Sequence, residues 1–380
     1  MLYLRIFLIN EFVNLLIKQK KILFIAHHRL DRSPGQRYRF EQYFSFLNEN
    51  GISCELANII SEKDDQILYN SYNYLKKGFI AINAYRKRYL NYKSVKDYDL
   101  IVLYREAVLT RSIIFEKLFS SSGVPIVFDF DDAIWIKDVS SSNKLLSFLK
   151  NEKKIEKILP LCAHVTCGNV YLKEYATKFN SNVTIIPSTV DTELYVPMHL
   201  NGTSKKVKIG WVGSHTTIKH FQKIINVYKK LKDKYNDNIS FKVIGDENYR
   251  NDELGIIGEK WDNSKEVELF NSFDIGVMPL PKDQWTEGKC GMKGLLYMST
   301  GKPAVVSAVG ANNTIIDHAK NGFLCAGEDQ WFDTLSLLID NPELRHEIGL
   351  KGRETIEEKY STISQRDKYL QLYLSLINNQ

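Results

Sequence analysis

The stretch Val207–Asp246, VKIGWVGSHTTIKHFQKIINVYKKLKDKYNDNISFKVIGD, reads as strand, glycine loop, helix and strand. Val207–Val212 is a short apolar run that ends in Gly213-Ser214. His220–Lys234 mixes apolar and basic residues at helical spacing, and Phe241–Ile244 is a second short run, ending in Gly245-Asp246. Two short runs joined by a helix describe parallel strands with a crossover, since antiparallel neighbours need only a tight turn.

The programme continues on both sides. Downstream, Ile275–Leu280 is a strand candidate, Gly291–Ser299 a helix, Pro303–Ser307 a strand and Gly322–Cys325 a last short strand, before helices from Trp331 to Gln380. Upstream, Ile22–Ala26 (ILFIA) leads through Ser33-Pro34-Gly35 into a helical stretch, Arg37–Asn50. Leu100–Tyr104 (LIVLY), Pro125–Asp129 (PIVFD), His164–Cys167 and Val183–Ile186 follow as strands, with helical segments such as Thr110–Ser120 and Lys144–Ile158 between them. The polar segment Pro197–Lys206 lies between the two programmes. The expected fold is α/β: two Rossmann-like, doubly wound parallel-sheet domains facing a cleft. The expected limits are an apolar extension over 1–19, a first domain over 20–196, a linker over 197–206 and a second domain over 207–360. A C-terminal helix over 361–380 is expected to pack back on the first domain.

The 380 residues, 44% hydrophobic and 25% charged, exclude a disordered chain, a collagen-like fibre and a coiled coil. At roughly 150 residues per domain the length suits two domains. The five cysteines, Cys54, Cys162, Cys167, Cys290 and Cys325, are scattered without CxxC spacing, so no disulfide scaffold or metal site is expected, and the reading is cytoplasmic. The net charge of +6 lies wholly in the first half: residues 1–200 carry 27 Lys+Arg against 21 Asp+Glu. A basic half suits an anionic membrane surface or a phosphorylated acceptor; without an RNP-like motif, a zinc finger or an Arg/Lys stripe, nucleic acid is not expected. The other reading of the charge is a solvated surface. Leu2, Ile6, Ile9, Val13 and Leu16 recur at helical spacing ahead of Lys18, Lys20 and Lys21, as in a helix lying on a membrane; the alternative is a loosely packed extension. The segment is too short and polar to span a bilayer and lacks a signal-peptide cleavage site.

Chemistry concentrates in Glu287–Pro303, EGKCGMKGLLYMSTGKP. A loop containing Gly288 and Gly291 enters a helix whose first turn carries Lys293, a place for backbone N–H groups and a cation to hold a phosphate. Glu287, an acceptor-only carboxylate, suits sugar hydroxyls. Alone, the pattern is equally an ordinary helix with a glycine-rich entry. In the first half, Ser33-Pro34-Gly35-Gln36-Arg37-Tyr38-Arg39 follows a strand directly and suits phosphate or acceptor binding. Asp129-Phe130-Asp131-Asp132 has the DxD form of a divalent-metal site, but also that of an acidic turn ending a strand, and the two-domain pattern favours the turn or a cleft carboxylate at Asp131. Arg105 is expected to pair with these acids. His27, His28 and His215 stand in loops without metal-ligand spacing.

The segment Glu287–Pro303 resembles the donor-site segment of retaining, GT-B fold glycosyltransferases of family 4, in which a Glu precedes a glycine loop and a helix that ends in a small-x-Gly-x-Pro turn. Gly301-Lys302-Pro303, Gly210–Ser214, Asp274–Leu280, Asn321–Leu324 and the run Ile186–Glu193 resemble further parts of that family in order and spacing, from Lys20 onward. The resemblance implies an acceptor-binding first domain with Gly35, Arg37, Arg39 and Asp131. It implies a nucleotide-sugar donor domain with Gly213, Ser214, Lys219, Asp246, Gly288, Lys289, Cys290, Gly291 and Met292, and with Glu287 and Lys293 at the reacting centre. It also implies a hexosyltransferase that works without a metal cofactor, uses a nucleotide-diphosphate sugar, and serves surface polysaccharide assembly on a glycan or polyprenyl-diphosphate acceptor. Two positions depart from the family: Leu296 stands where members carry a second Glu, and Ser214 where they carry an Arg. A sugar-nucleotide epimerase of the same fold and a non-catalytic nucleotide-sugar-binding or partner-binding module are the competing readings.

Overall fold

The computed structural model describes residues 19–68, 73–136, 153–198 and 206–379. The membrane-helix reading of residues 1–18, most of the Lys144–Ile158 helix and most of the expected linker fall outside the described residues.

The first sheet holds β1 (Lys20–Ala26), β2 (Ile52–Asn58), β3 (Leu100–Tyr104), β4 (Ile126–Phe130), β5 (His164–Cys167) and β6 (Val183–Ile185), in the order β2-β1-β3-β4-β5-β6. Its described ladders are parallel. β3 and β4 are buried along their whole length, as expected of strands covered on both faces. β2 (ISCELAN) carries no apolar run because it is an edge strand, and its sequence signal is correspondingly weak.

The second sheet holds β7 (Val207–Val212) and β8 (Ile239–Ile244), followed after the two-residue hairpin β9 (Arg250–Asn251) and β10 (Ile256–Ile257) by β11 (Ile275–Met278), β12 (Ala304–Ser307) and β13 (Phe323–Cys325). Its order is β13-β12-β11-β7-β8, again with parallel ladders. Trp211, Phe221, Tyr228, Val243, Val277 and Leu335 belong to the core beneath it. The expected α/β class with two doubly wound parallel sheets is what the chain adopts.

In each sheet the first strand lies between the second and third, so the order of strand addition reverses beside it while the strands stay parallel. Such a switch point leaves a crevice at the carboxyl ends, where open α/β sheets bind ligands. In the first sheet this puts the loops after β1 and β3 side by side, and in the second those after β7 and β11.

By packing, the chain divides into two compact units. One comprises the chain up to Asp129, Lys154–His164 and Leu370–Gln380; the other comprises Phe130–Lys153 and Val165–Tyr369. Within the first unit, Tyr373 of the last helix meets the Phe24 ring edge-on.

Two helices differ from expectation, and His220–Lys234 is one of them: it divides into Ile218–Gln222 and Ile225–Tyr235, with Ile224 outside helical geometry. Arg37–Asn50 is not continuous: Pro34–Arg39 and Phe44–Glu49 are separate helices with a 3-10 turn between them. Phe40 leaves helical geometry at φ −143°, and the break lets Phe40 and Phe44 both pack on Phe24, with centroids 5.2 and 4.7 Å away. Ring packing outweighs helical propensity here. No described helix is long and apolar enough to cross a membrane.

Candidate functional site

The residues expected at a donor site all belong to the second unit and follow the carboxyl ends of β7, β8 and β11. After β7, the Gly213 amide donates to the Ile244 carbonyl at 2.9 Å, and a Cβ on Gly245 (φ +100°) would collide with the Gly213 carbonyl. Glycine is required there because two backbones touch. Ser214 is exposed and closes its own turn: its Oγ lies 2.8 Å from Thr216 Oγ1, and its carbonyl accepts from the Thr217 amide at 2.8 Å. Lys219 is exposed on the following short helix. Asp246, after β8, is buried and accepts from the Asn248 amide at 3.3 Å.

After β11 a capping box starts the short helix Gln284–Glu287: Asp283 accepts from the Thr286 amide at 2.9 Å while Thr286 Oγ1 accepts from the Asp283 amide at 3.2 Å. Glu287 is held by the Gly310 amide, which donates to its Oε2 at 3.0 Å. Gly310 (φ +51°) follows β12, and a Cβ there would stand 2.8 Å from the carbonyls of Thr286 and Glu287. The loop Gly288–Gly291 is pinned from beneath. Asn169 Nδ2 donates to the carbonyls of Gly288 (3.1 Å) and Lys289 (3.2 Å), and Cys290 Sγ to that of Asp131 (3.1 Å). Gly291, left-handed at φ +70°, then opens the helix Met292–Ser299.

Two cations stand at this helix entry. Lys289 pairs with Asp132 at 2.8 Å and lies 3.6 Å from the centre of the Trp285 ring. Lys293 Nζ lies 4.6 Å above the Trp211 ring. Burial first, and the charge of Lys289 second, bring its pKa down to about 7. Further along, Tyr297 bridges the switch point, donating to the Val277 carbonyl of β11 (3.2 Å) and accepting from the Val212 amide of β7 (3.3 Å).

The first unit has its own cluster around the loops after β1 and β3. Gln36 accepts from the His28 amide and donates to the His28 carbonyl, each at 2.9 Å, and to Glu41 at 2.9 Å. His27 is buried; desolvation, then the charge of Arg88, hold its pKa well below the ordinary value, so it is neutral. Arg29 and Arg32 both donate to Asp65. Gly35 lies inside the helix Pro34–Arg39. Arg37 is partly buried and donates to Tyr38 OH at 3.0 Å.

One sequence expectation is corrected here. Arg39, read as a cleft residue, is fully buried and grips Asp129 with two bonds, Nε to Oδ2 at 3.0 Å and Nη2 to Oδ1 at 2.6 Å. Arg105 turns left-handed (φ +63°), donates its amide to the Asp129 carbonyl, and places its guanidinium over the Tyr104 ring. Among the described residues, no group of three or more His, Cys, Asp or Glu side chains could hold a metal ion.

No curated protein matches the chain. Residues 206–341 match the family model described as Glycosyl transferases group 1. The fold is that of GT-B glycosyltransferases. Sucrose-phosphate synthase from Thermosynechococcus elongatus matches at a TM-score of 0.72 and 13% identity, over 95% of this chain and 100% of that one. A glycosyltransferase from Rickettsia africae matches at 0.66 and 13%, over 95% and 100%. Anabaena HepE, solved with UDP and glucose, matches at 0.62 and 13%, over 94% and 100%. Domain and fold together support a glycosyltransferase.

The segment that matches the family model holds every residue the sequence nominated for the donor. Glu287, Gly288, Lys289, Cys290, Gly291, Met292 and Lys293 share one loop and helix entry, while Gly213, Ser214, Lys219 and Asp246 follow the ends of β7 and β8. Asp131, nominated for the acceptor, contributes its carbonyl to Cys290 of the same unit. Sequence reading named Asp132 only as part of the acidic run, and missed Asn169, Trp211 and Trp285. Only Asn169 had a local signal, as the cap of the helix Val170–Ala176, where its Oδ1 accepts from the Leu172 amide. Leu296, at the departure from the family, is buried in the domain.

Proposed function

We propose that the chain is a retaining hexosyltransferase that moves a sugar from a nucleotide-diphosphate donor to a glycan or polyprenyl-diphosphate acceptor in surface polysaccharide assembly, in the cytoplasm and at the cytoplasmic membrane face. The observation that carries this reading is the arrangement after β11 and β12. A carboxylate fixed by a backbone amide stands beside a glycine loop and two lysines, at the switch point of a group 1 domain. Lys293, Lys289 and the loop amides supply positive potential for a leaving diphosphate. Glu287, held from one side by Gly310, keeps acceptor capacity for sugar hydroxyls. HepE was solved with UDP and glucose, which supports a nucleotide-sugar donor for a chain of this fold. The acceptor is assigned to the first half on its basic charge. Two of the three carboxylates of the DxD-like run, Asp129 and Asp132, are paired with Arg39 and Lys289, which supports chemistry without a bridging metal.

Leu296 favours a second reading, a module that binds nucleotide sugar without turnover. Incubation with UDP-, GDP- and ADP-sugars and glycan acceptors separates the two. Transfer with the donor's anomeric configuration kept is the expected result. Inverted product overturns retention, and binding with neither transfer nor hydrolysis establishes the module.

A further inference from the structure

The helix Tyr74–Lys93 is twenty residues long, and its inner face is fixed to the first unit. Arg88, fully buried, donates to the carbonyls of Ala26 (2.6 Å), Ala57 (2.8 Å) and Ala107 (2.7 Å). Tyr85 OH lies 2.8 Å from Thr110 Oγ1, and the Tyr92 ring meets Phe119. That anchoring leaves the opposite face outward with a defined rotation. On it stand Leu75 (85% exposed), Phe79 (72%), Ile82 (67%), Leu90 (52%) and Tyr89 (48%). Their spacing of four, three, seven and eight residues is a single helical stripe.

A soluble surface scatters its apolar residues singly, whereas five large ones in one stripe mark a binding face. The charges around it show what it meets. The twenty residues contain six Lys and Arg and no Asp or Glu. Lys77 and Arg88 are buried, while Lys76, Arg86 and Lys93 are exposed along the stripe. A protein groove complementary to this face would need an acidic rim around an apolar floor, and RNA would have no use for Leu75 and Phe79. An anionic bilayer offers both components over a flat area. Apolar side chains enter the acyl boundary while lysines and arginines remain among the headgroups.

We propose that the outward face of the helix Tyr74–Lys93 docks the protein on an anionic phospholipid surface, lying in the plane of the interface. This specifies the membrane element of the function proposed above, but it rests on the surface of this helix and stands independently of sugar transfer.

The test is co-sedimentation of the full chain with phosphatidylcholine vesicles prepared with and without phosphatidylglycerol, at low and high salt. The wild-type protein is expected to bind the phosphatidylglycerol vesicles and to be released by salt. L75S/F79S/I82S is expected to lower partitioning by about tenfold or more, and K76E/R86E/K93E to remove the dependence on phosphatidylglycerol. UDP-sugar hydrolysis in solution should be the same for all three proteins. Variants that bind vesicles like wild type would overturn the proposal and move membrane binding elsewhere, residues 1–18 included. A wild-type dimer that becomes monomeric in the serine variant, without any vesicle binding, would also overturn it and assign the face to a second copy. Loss of hydrolysis in every protein with vesicle binding intact would overturn the transferase reading alone.

Discussion

Lys293 occupies the first turn of a helix, where the backbone dipole already disfavours a cation. Burial and Lys289 disfavour it further, bringing the pKa to about 7 from an ordinary 10.5. A diphosphate arriving there restores the charge, so binding takes up a proton. Affinity for a nucleoside diphosphate such as UDP should therefore weaken as pH rises through 7, by up to about tenfold per unit. Calorimetry in buffers of different ionisation enthalpy should register the proton, and Lys293→Ala should abolish the pH dependence while costing about 2–4 kcal/mol in turnover. The sign for stability is opposite: between pH 7 and 10.5 the folded chain holds fewer protons at this site than the unfolded chain, so stability rises with pH there. A different logic governs Arg39. Arg39→Met removes the guanidinium that holds the buried Asp129 carboxylate through two bonds, a loss of about 3–5 kcal/mol in urea unfolding. Adding Asp129→Asn should recover most of it, because the buried charge is gone.

The loop after β12 shows how an element positions chemistry it does not itself carry. Gly310 donates its amide to Glu287 from a left-handed conformation, with two carbonyls 2.8 Å from where a Cβ would go. Gly310→Ala must displace that loop, and with it the Glu287 carboxylate, at a cost of about 1–3 kcal/mol in local strain. If Glu287 acts as proposed, the expected outcome is turnover lowered at least about tenfold through its misplacement, with an unchanged far-UV circular dichroism spectrum. Native turnover in the alanine variant would show that Glu287 does not depend on this bond. Ser307 secures the same region, accepting from the Leu280 amide at 2.8 Å and donating to the Leu280 carbonyl at 3.1 Å, which ties the ends of β11 and β12 together.

At the scale of the whole molecule, two parallel sheets each present a switch point, and in each the surrounding side chains are committed to defined partners. In the first unit, Lys154 donates to Glu106 and to the Val108 carbonyl, both at 2.8 Å, while Gln36 closes the loop after β1. In the second, lysines and glycine-loop amides gather at the end of one helix. In the proposed function these groups would neutralise a diphosphate in place of a divalent cation. Transfer activity is accordingly expected to survive EDTA. Complete inactivation that Mg²⁺ or Mn²⁺ reverses would return the DxD-like run to a metal-binding role.

The sequence by itself determined the architecture and the address of the candidate donor site. Strands covered on both faces must be short apolar runs, and the helices between them must be amphipathic, so ILFIA, LIVLY, PIVFD and VKIGWV announced two parallel sheets before any contact was known. Glycines where backbones touch announced the loops at the strand ends. Tertiary structure alone decided which charges are spent. Arg39 and Asp129 are 90 residues apart, and Lys289 and Asp132 are 157 apart; no local periodicity encodes such a pair. It likewise decided that Phe40 breaks a helix to reach Phe24, that Trp211 lies beneath Lys293, and that Arg88 turns the apolar stripe of Tyr74–Lys93 outward. Periodicity tells that a helix has two faces; only packing against the rest of the chain tells which of them is left to the solvent.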